Sequence, residues 1–391
     1  MKKIISVLLA VIICFMFSVS IFADNSSNNT AENTHSAMID HSVEANSAVL
    51  IDTESGKILF SQNEDEKASP ASVTKIMTLL LVAEAIENGS VKLSDNVSIS
   101  KNAASMGGSQ VFLEEGESMS LEELLKCTVI ASANDAAVAL AEYISGSESA
   151  FVKKMNARAA ELKMDNTYFE NVTGLDDTTE KHLTTAKDIA IMSCELIKYP
   201  IITKYSSMWQ DSIRNGEFTL TNTNRLVRYY DGCNGLKTGS TNKAGYCISV
   251  SAKRGDVQFI AVIMGAKTRD IRNSEARKLL DLGFANYGAY TYGEQALEKI
   301  PVKSGIKSEV VVYSKEFKTI VEKRSIKDVE IIYDIPKNVT APIKENDIVG
   351  KIIFKIGEET IGEEDILVKE SVDRISYFYL LKKILSQIFC E

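Results

Sequence analysis

Ser72-Val73-Thr74-Lys75 follows Pro70 and Ala71, at the point where a helical pattern begins, and its serine and lysine stand three residues apart. On a helix that spacing shares one face, with Cβ atoms about 5 to 6 Å apart, so an amine can reach a hydroxyl. A serine hydroxyl attacks poorly unless a base takes its proton, and a lysine serves when burial or neighbouring cations lower its pKa. A second cluster is Ser132-Ala133-Asn134, where small and polar residues interrupt the apolar stretch 128–137. Such a break is costly in a core unless it faces a cleft. A third is Lys237-Thr238-Gly239-Ser240, approached through Gly232-Cys233-Asn234-Gly235-Leu236. Its glycines permit close backbone approach, its lysine carries positive charge, and strand amides can donate to a ligand oxygen.

Each cluster alone has an ordinary structural explanation: an N-cap serine with a solvated lysine, a helix cap at Asn134 or Asp135, a turn with an exposed lysine. Other chemistries are poorly supplied. The three histidines, His35, His41 and His182, have no His-x-x-x-His spacing for zinc, and no Gly-x-Ser-x-Gly lies near His182. His182 reads as a loop or helix-start residue. Beyond residue 23 the cysteines are Cys127, Cys194, Cys233, Cys247 and Cys390, an odd number with no Cys-x-x-Cys. Neither a disulfide framework nor a metal site is signalled, and no cofactor is expected. Most of these thiols, Cys247 included, read as small buried hydrophobes. A formal net charge of -9 excludes nucleic acid as the natural partner.

The elements that must position these residues come from an ordinary globular composition of 391 residues, 45% apolar and 25% charged. Residues 1–23, with Lys2 and Lys3 before an apolar run, read as a secretory signal peptide. An uncleaved N-terminal membrane helix is the alternative; both export the remainder. Residues 24–41 form a flexible polar lead. A short hairpin follows at 48–60, then helical periods at 73–88, 121–130, 136–144 and 151–162. Two β-branched runs, 245–252 and 257–264, flank Lys253-Arg254-Gly255-Asp256 as a hairpin, and 274–287 looks helical. Strands at both ends with helices between predict one α+β domain, residues 42–290, whose sheet unites early and late segments. Short runs between turns predict a small all-β domain over 295–368. Residues 370–391 repeat Ile375, Phe378, Leu381, Leu385 and Ile388 at helical spacing, interrupted by Lys382 and Lys383. This stretch is too short and charged to span a bilayer. An amphipathic helix lying on the membrane surface is the functional reading, and a helix packed on the β domain is the alternative.

Taken together and in this order, the three clusters resemble the signature shared by class A β-lactamases and penicillin-binding proteins. The chain resembles the low-molecular-mass penicillin-binding proteins, the exported serine-type D-alanyl-D-alanine carboxypeptidases. Phe112-Leu113, residues 171–175, Lys243-Ala244-Gly245-Tyr246 and residues 264–280 extend the likeness from Ala48 to the C-terminus. The resemblance implies a serine β-lactamase/DD-peptidase-like catalytic domain, an antiparallel sheet with helices, beside the all-β one. It implies Ser72 as nucleophile, Lys75 as its base and Ser132 as the relay of a proton to the departing amine. Asn134 would hold the substrate's amide. Lys237 would place positive charge beside Ser132 and, with Thr238, meet the terminal carboxylate, which Arg272 would steer. Gly239 belongs to the substrate strand, and the backbone amides of Ser72 and Ser240 would form the oxyanion hole. The implied substrates are peptidoglycan stem pentapeptides, cut through an acyl-enzyme, with β-lactam antibiotics acylating Ser72 on the outer face of the cytoplasmic membrane.

The chain also departs from the pattern. Ala133 stands where the signature has aspartate, and Ser240 stands where some relatives carry histidine. Glu170 is followed by Asn171-Val172-Thr173-Gly174, not the Glu-x-x-Leu-Asn context of a class A β-lactamase. An endopeptidase acting on cross-links, or a non-catalytic penicillin-binding sensor or scaffold, would use the same residues.

Overall fold

Strand β1, Ser47–Asp52, is buried along its whole length, so it must lie inside a sheet with both faces covered. The computed structural model, which describes residues 42–177 and 179–389, places it there. The expected leader 1–23, the polar lead 24–41 and Cys390 lie outside the described residues. β1 pairs antiparallel with β2, Ile58–Gln62, on one side. On the other it meets the late part of the chain: β3, Cys233–Thr241, β4, Gly245–Arg254, and β5, Val257–Ala266. The order is β2-β1-β5-β4-β3, with Ser47 opposite Met264 and Asp52 opposite Phe259. The sheet thus unites the two ends of the domain, as the strand pattern predicts.

The pleat sends alternate residues to opposite faces. Val49, Ile51, Ile260, Val262 and Met264 face the helical half, where α1, Lys75–Glu87, α2, Asn134–Ser145, and α3, Ala186–Leu196, pack. Leu50, Ile248, Val250, Phe259 and Ile263 face α4, Arg269–Asn286, through Ala276, Leu279 and Leu280. Each fully buried aliphatic or aromatic side chain contributes about 1.5 to 3 kcal/mol, so the paired layers hold the sheet rigidly. α1 is buried nearly all round, the mark of a helix through the middle of a domain.

Two departures of local geometry from the sequence reading lie beside Ser72 and Ser132. The helix expected from residue 73 begins at Lys75, after a tight 3-10 turn over Ala71–Thr74. The helix expected over 121–130 is α-helical only for Leu121–Lys126 and then widens to a π-helix over Cys127–Ala131. Apolar periodicity reports which face is buried, not whether the bonds run to i+3, i+4 or i+5, so neither change was visible in it.

Strand Tyr287–Tyr292 follows α4 and pairs with Phe317–Glu322, joining the catalytic half to an all-β region. There a five-stranded antiparallel sheet and a smaller three-stranded one enclose Ile300, Val310, Val312, Ile352, Phe354, Ile366 and Val368. Phe317 stacks on Phe354 with ring centroids 4.2 Å apart. The last helix, α5, spans Tyr377–Phe389 and leaves Tyr377, Phe378, Ile384 and Ile388 exposed. Among the described residues no helix is long and apolar enough to cross a membrane.

Candidate active site

The three clusters, far apart in sequence, meet at one cleft of about 610 Å³ lined by Ser72, Ser132, Thr238, Gly239, Ser240 and Arg272, among others. Ser72 sits in the 3-10 turn and Lys75 opens α1, fully buried beneath it. Lys75 Nζ lies 3.0 Å from Ser72 Oγ, 2.5 Å from Asn134 Oδ1 and 2.8 Å from the Thr173 carbonyl. Asn134 Nδ2 donates to the Gly107 carbonyl at 2.7 Å, which fixes Oδ1 as the end facing the lysine. Two of the three partners are therefore acceptors only. A neutral amine has two N–H bonds and one lone pair, so once both N–H groups serve Asn134 and Thr173, the lone pair is left to receive the Ser72 proton. Burial first, and the positive charge of Lys237 second, hold the Lys75 pKa well below the lysine range, against the opposing pull of Asp135. Geometry and electrostatics both favour the neutral base.

Ser132 ends the π-helix in a left-handed conformation, φ 64° and ψ 28°, strained for a residue with a Cβ. Its Oγ is buried and has no hydrogen-bond partner among the described residues. Asn134 holds Lys75 through Oδ1 and spends one of its two Nδ2 N–H bonds on Gly107, which leaves the other for the substrate amide that the resemblance implies. Asp135 is wholly buried and accepts from the backbone N–H groups of Val111 and Leu113, tying down the loop that carries Ser109 to the cleft.

On β3, Lys237 is buried and its Nζ donates to the Thr238 carbonyl at 3.3 Å. Burial, then the charge of Arg272, brings its pKa down to about 7. Arg272, from α4, is buried too. Its guanidinium donates to Asn273 Oδ1 and, at 3.5 Å, to the Cys247 carbonyl, with burial lowering its pKa to about 10. Gly239 is required by space: a Cβ there would lie 2.7 Å from the Ser72 nitrogen and 3.0 Å from the Pro70 carbonyl oxygen. Strand β3 passes directly over the turn that carries Ser72.

Sequence reasoning missed several contributors. Arg225, Arg269, Trp209 and Tyr229 also line the cleft. Single arginines and aromatics carry no spacing signal; only the fold gathers them. The Thr173 carbonyl is equally silent, being backbone. Asp176, which accepts from Ser69 and Thr241 and so ties the segment before Ser72 to β3, had no flanking pattern. Asp135 could have been found, as an acid inside an apolar stretch. Of the four described cysteines, Cys127 and Cys247 are buried and Cys194 and Cys233 half-buried, and burial raises the pKa of all four, that of Cys247 to about 11.

Comparisons with known proteins identify the family. Residues 31–268 match the D-alanyl-D-alanine carboxypeptidase family model of peptidase family S11, and residues 286–374 match that of the C-terminal domain of penicillin-binding protein 5. The chain is 42% identical over 390 residues to D-alanyl-D-alanine carboxypeptidase DacF of Bacillus subtilis, covering 98% of each. It is 30% identical to DacA of Escherichia coli, covering 86% of this chain and 85% of that one. Penicillin-binding protein 5 from Haemophilus influenzae superposes with a TM-score of 0.77 at 30% identity, over 86% of this chain and 99% of its own. Penicillin-binding protein D2 from Listeria monocytogenes, solved in an ampicillin-bound form, superposes with a TM-score of 0.58 at 30% identity, over 63% of this chain and 99% of its own. With family models matched to both parts of the chain and a relative 42% identical over 98% of it, the chain belongs to the D-alanyl-D-alanine carboxypeptidase family.

Proposed function

We propose that this chain is an exported serine carboxypeptidase that removes the terminal D-alanine from peptidoglycan stem pentapeptides through an acyl-enzyme on Ser72. The observation that carries the reading is the arrangement around Lys75, a buried amine whose remaining lone pair faces the Ser72 hydroxyl. Ser72 Oγ attacks the carbonyl of the penultimate D-alanine while its proton passes to Lys75 Nζ. The backbone N–H groups of Ser72 and Ser240 stabilise the oxyanion, typically worth about 3 to 4 kcal/mol per donor. The peptide C–N bond then breaks, the departing nitrogen takes a proton relayed by Ser132, and free D-alanine leaves. Water repeats the sequence on the ester, its proton going to Lys75 and its oxygen to the acyl carbon, which releases the shortened peptide and restores Ser72. Lys237, Thr238 and Arg272 bind the terminal carboxylate, and Asn134 acts by orienting Lys75. Penicillins, whose carboxylate and strained amide mimic the same terminus, acylate Ser72.

The exposed apolar side chains of α5, with Lys382 and Lys383 beside them, support a further part of the reading, that this helix binds the outer surface of the cytoplasmic membrane.

Mass spectrometry after exposure to benzylpenicillin tests the nucleophile. One adduct on Ser72 is expected, and Ser72→Ala should abolish both the adduct and D-alanine release from a stem pentapeptide. An adduct retained by that variant would overturn the assignment.

A further inference from the structure

His182 is buried, 1% exposed, behind the nucleophile turn and outside the cleft. Its Nδ1 accepts a hydrogen bond from the Glu170 backbone N–H at 3.0 Å, which leaves the ring proton on Nε2. Nε2 lies 2.8 Å from Thr74 Oγ1. The Thr74 hydroxyl in turn donates to the Ala71 carbonyl at 2.8 Å. The donors therefore run one way, from Glu170 through the imidazole and the threonine hydroxyl to a single backbone oxygen.

That oxygen belongs to the peptide unit whose other end is the Ser72 N–H. In a trans peptide the two groups point in opposite directions. Holding the Ala71 carbonyl on the helix side therefore aims the Ser72 N–H toward β3, where the missing Cβ of Gly239 leaves room. A hydrogen bond to the carbonyl also polarises the amide and strengthens its N–H as a donor. The restraint has strain to hold. Ala71 has φ +48°, a region that costs a residue with a Cβ roughly 1 to 2 kcal/mol, and a Cβ at Gly174 would lie 1.8 Å from the same carbonyl oxygen. Glu170, Asp176 and Lys243 are the charged groups around the imidazole; burial, aided by Lys243, outweighs the two carboxylates and brings its pKa to about 4. The ring stays neutral, as the bond from Glu170 requires.

We propose that His182 is a positioning residue for acylation, acting through Thr74 to orient and polarise the Ala71–Ser72 peptide so that the Ser72 N–H can receive the oxyanion. The inference rests on Ser72 being the nucleophile. It assigns work to a histidine that touches neither substrate nor base.

Because an oxyanion donor acts on the transition state, its misplacement lowers the chemical step and spares binding. The test uses the full chain, benzylpenicillin and the probe tripeptide diacetyl-L-lysyl-D-alanyl-D-alanine. Thr74→Val and His182→Leu should each slow the acylation step at least tenfold, with the penicillin binding constant and the KM for the tripeptide changed less than twofold. Thr74→Ser keeps the hydroxyl and His182→Gln keeps a donor at the ε position, so both should stay within about threefold of wild type. Acylation by Thr74→Val at the wild-type rate would overturn the proposal, as would Ser and Gln variants that lose as much as Val and Leu. If His182→Leu does not fold, the Thr74 pair decides alone. Wild-type protein that neither takes up penicillin nor releases D-alanine would sink the underlying reading and this inference with it. A normal wild type beside an unaffected Thr74→Val would sink this inference alone.

Discussion

Lys75 and Lys237 are two amines in one cleft with different work, and burial lowers the pKa of both. Acylation needs Lys75 neutral, so its rate should fall as pH drops through the lowered Lys75 pKa, far below where an exposed lysine titrates. Lys237→Met removes the second cause of that lowering and leaves the first, desolvation, in place. The acid limb of penicillin acylation should therefore move to higher pH without reaching the ordinary lysine value; an acid limb left where it was would show that the two amines do not interact. The same groups bear on stability. Their folded pKa values lie below their unfolded ones, so between about pH 7 and 10 the unfolded chain binds more protons and stability rises with pH, by about 1.4 kcal/mol per unit for each such group. The four buried or half-buried thiols oppose this, because their raised pKa values make the folded state hold protons that the unfolded chain sheds above about pH 8.5. Denaturant unfolding should accordingly show stability climbing from pH 7 to about 8.5 and falling beyond it, where the four thiols outweigh the two amines, with the climb reduced in Lys237→Met. A flat profile across that interval would mean that the lysine is solvated.

The elements set these residues in register, and here the sequence was legible in unequal parts. The strand pattern of 48–60 and 245–264 and the helical period of 73–88 predicted the sheet and α1 because burial on fixed faces leaves a periodic mark. The order of the three clusters pointed to Ser72, Ser132 and Lys237 through its resemblance to a known signature. What stayed hidden is what leaves no mark: the π-helical turn that ends at Ser132, the Thr173 carbonyl that accepts a hydrogen bond from Lys75, and the partnership of His182 with Thr74 across more than a hundred residues. Gly239 lies between these cases. Its presence suggested close approach, but only the structure identifies backbone atoms of the nucleophile turn as what it approaches. Since those atoms cannot swing away as a side chain could, Gly239→Ala must push β3 off the turn. A displacement near 1 Å of one wall against the other costs on the order of 100-fold in rate. The variant should lose about that much penicillin acylation while remaining folded, measured by stopped-flow acylation alongside circular dichroism. Near-wild-type acylation would show that β3 and the 3-10 turn are not in contact.

At the scale of the whole molecule, the question is what the all-β region and α5 add to a cleft that is complete without them. The strand pair Tyr287–Tyr292 with Phe317–Glu322 joins the two parts, and the ion pair between Lys57 and Glu359, 3.6 Å and half-exposed, adds at most about 1 kcal/mol. The β region itself continues past its last long strand: Val372 is fully buried and exchanges backbone bonds with Ile343, and Ile375 N–H donates to the Ser304 carbonyl. A truncation at residue 372 would therefore cut into that core, whereas one before Tyr377 removes α5 alone. The full chain lacking residues 377–391 should keep wild-type release of D-alanine from the probe tripeptide, because no residue of α5 lines the catalytic cleft. It should also lose flotation with vesicles containing anionic phospholipid. Lys382 and Lys383 each contribute about 1 kcal/mol near such a surface, so binding of the intact chain should weaken as salt shortens the screening length, while the apolar face retains a salt-independent part. A truncated protein that still floats would move the membrane contact to another surface, and one that sediments as aggregate would assign α5 to the packing of the β region.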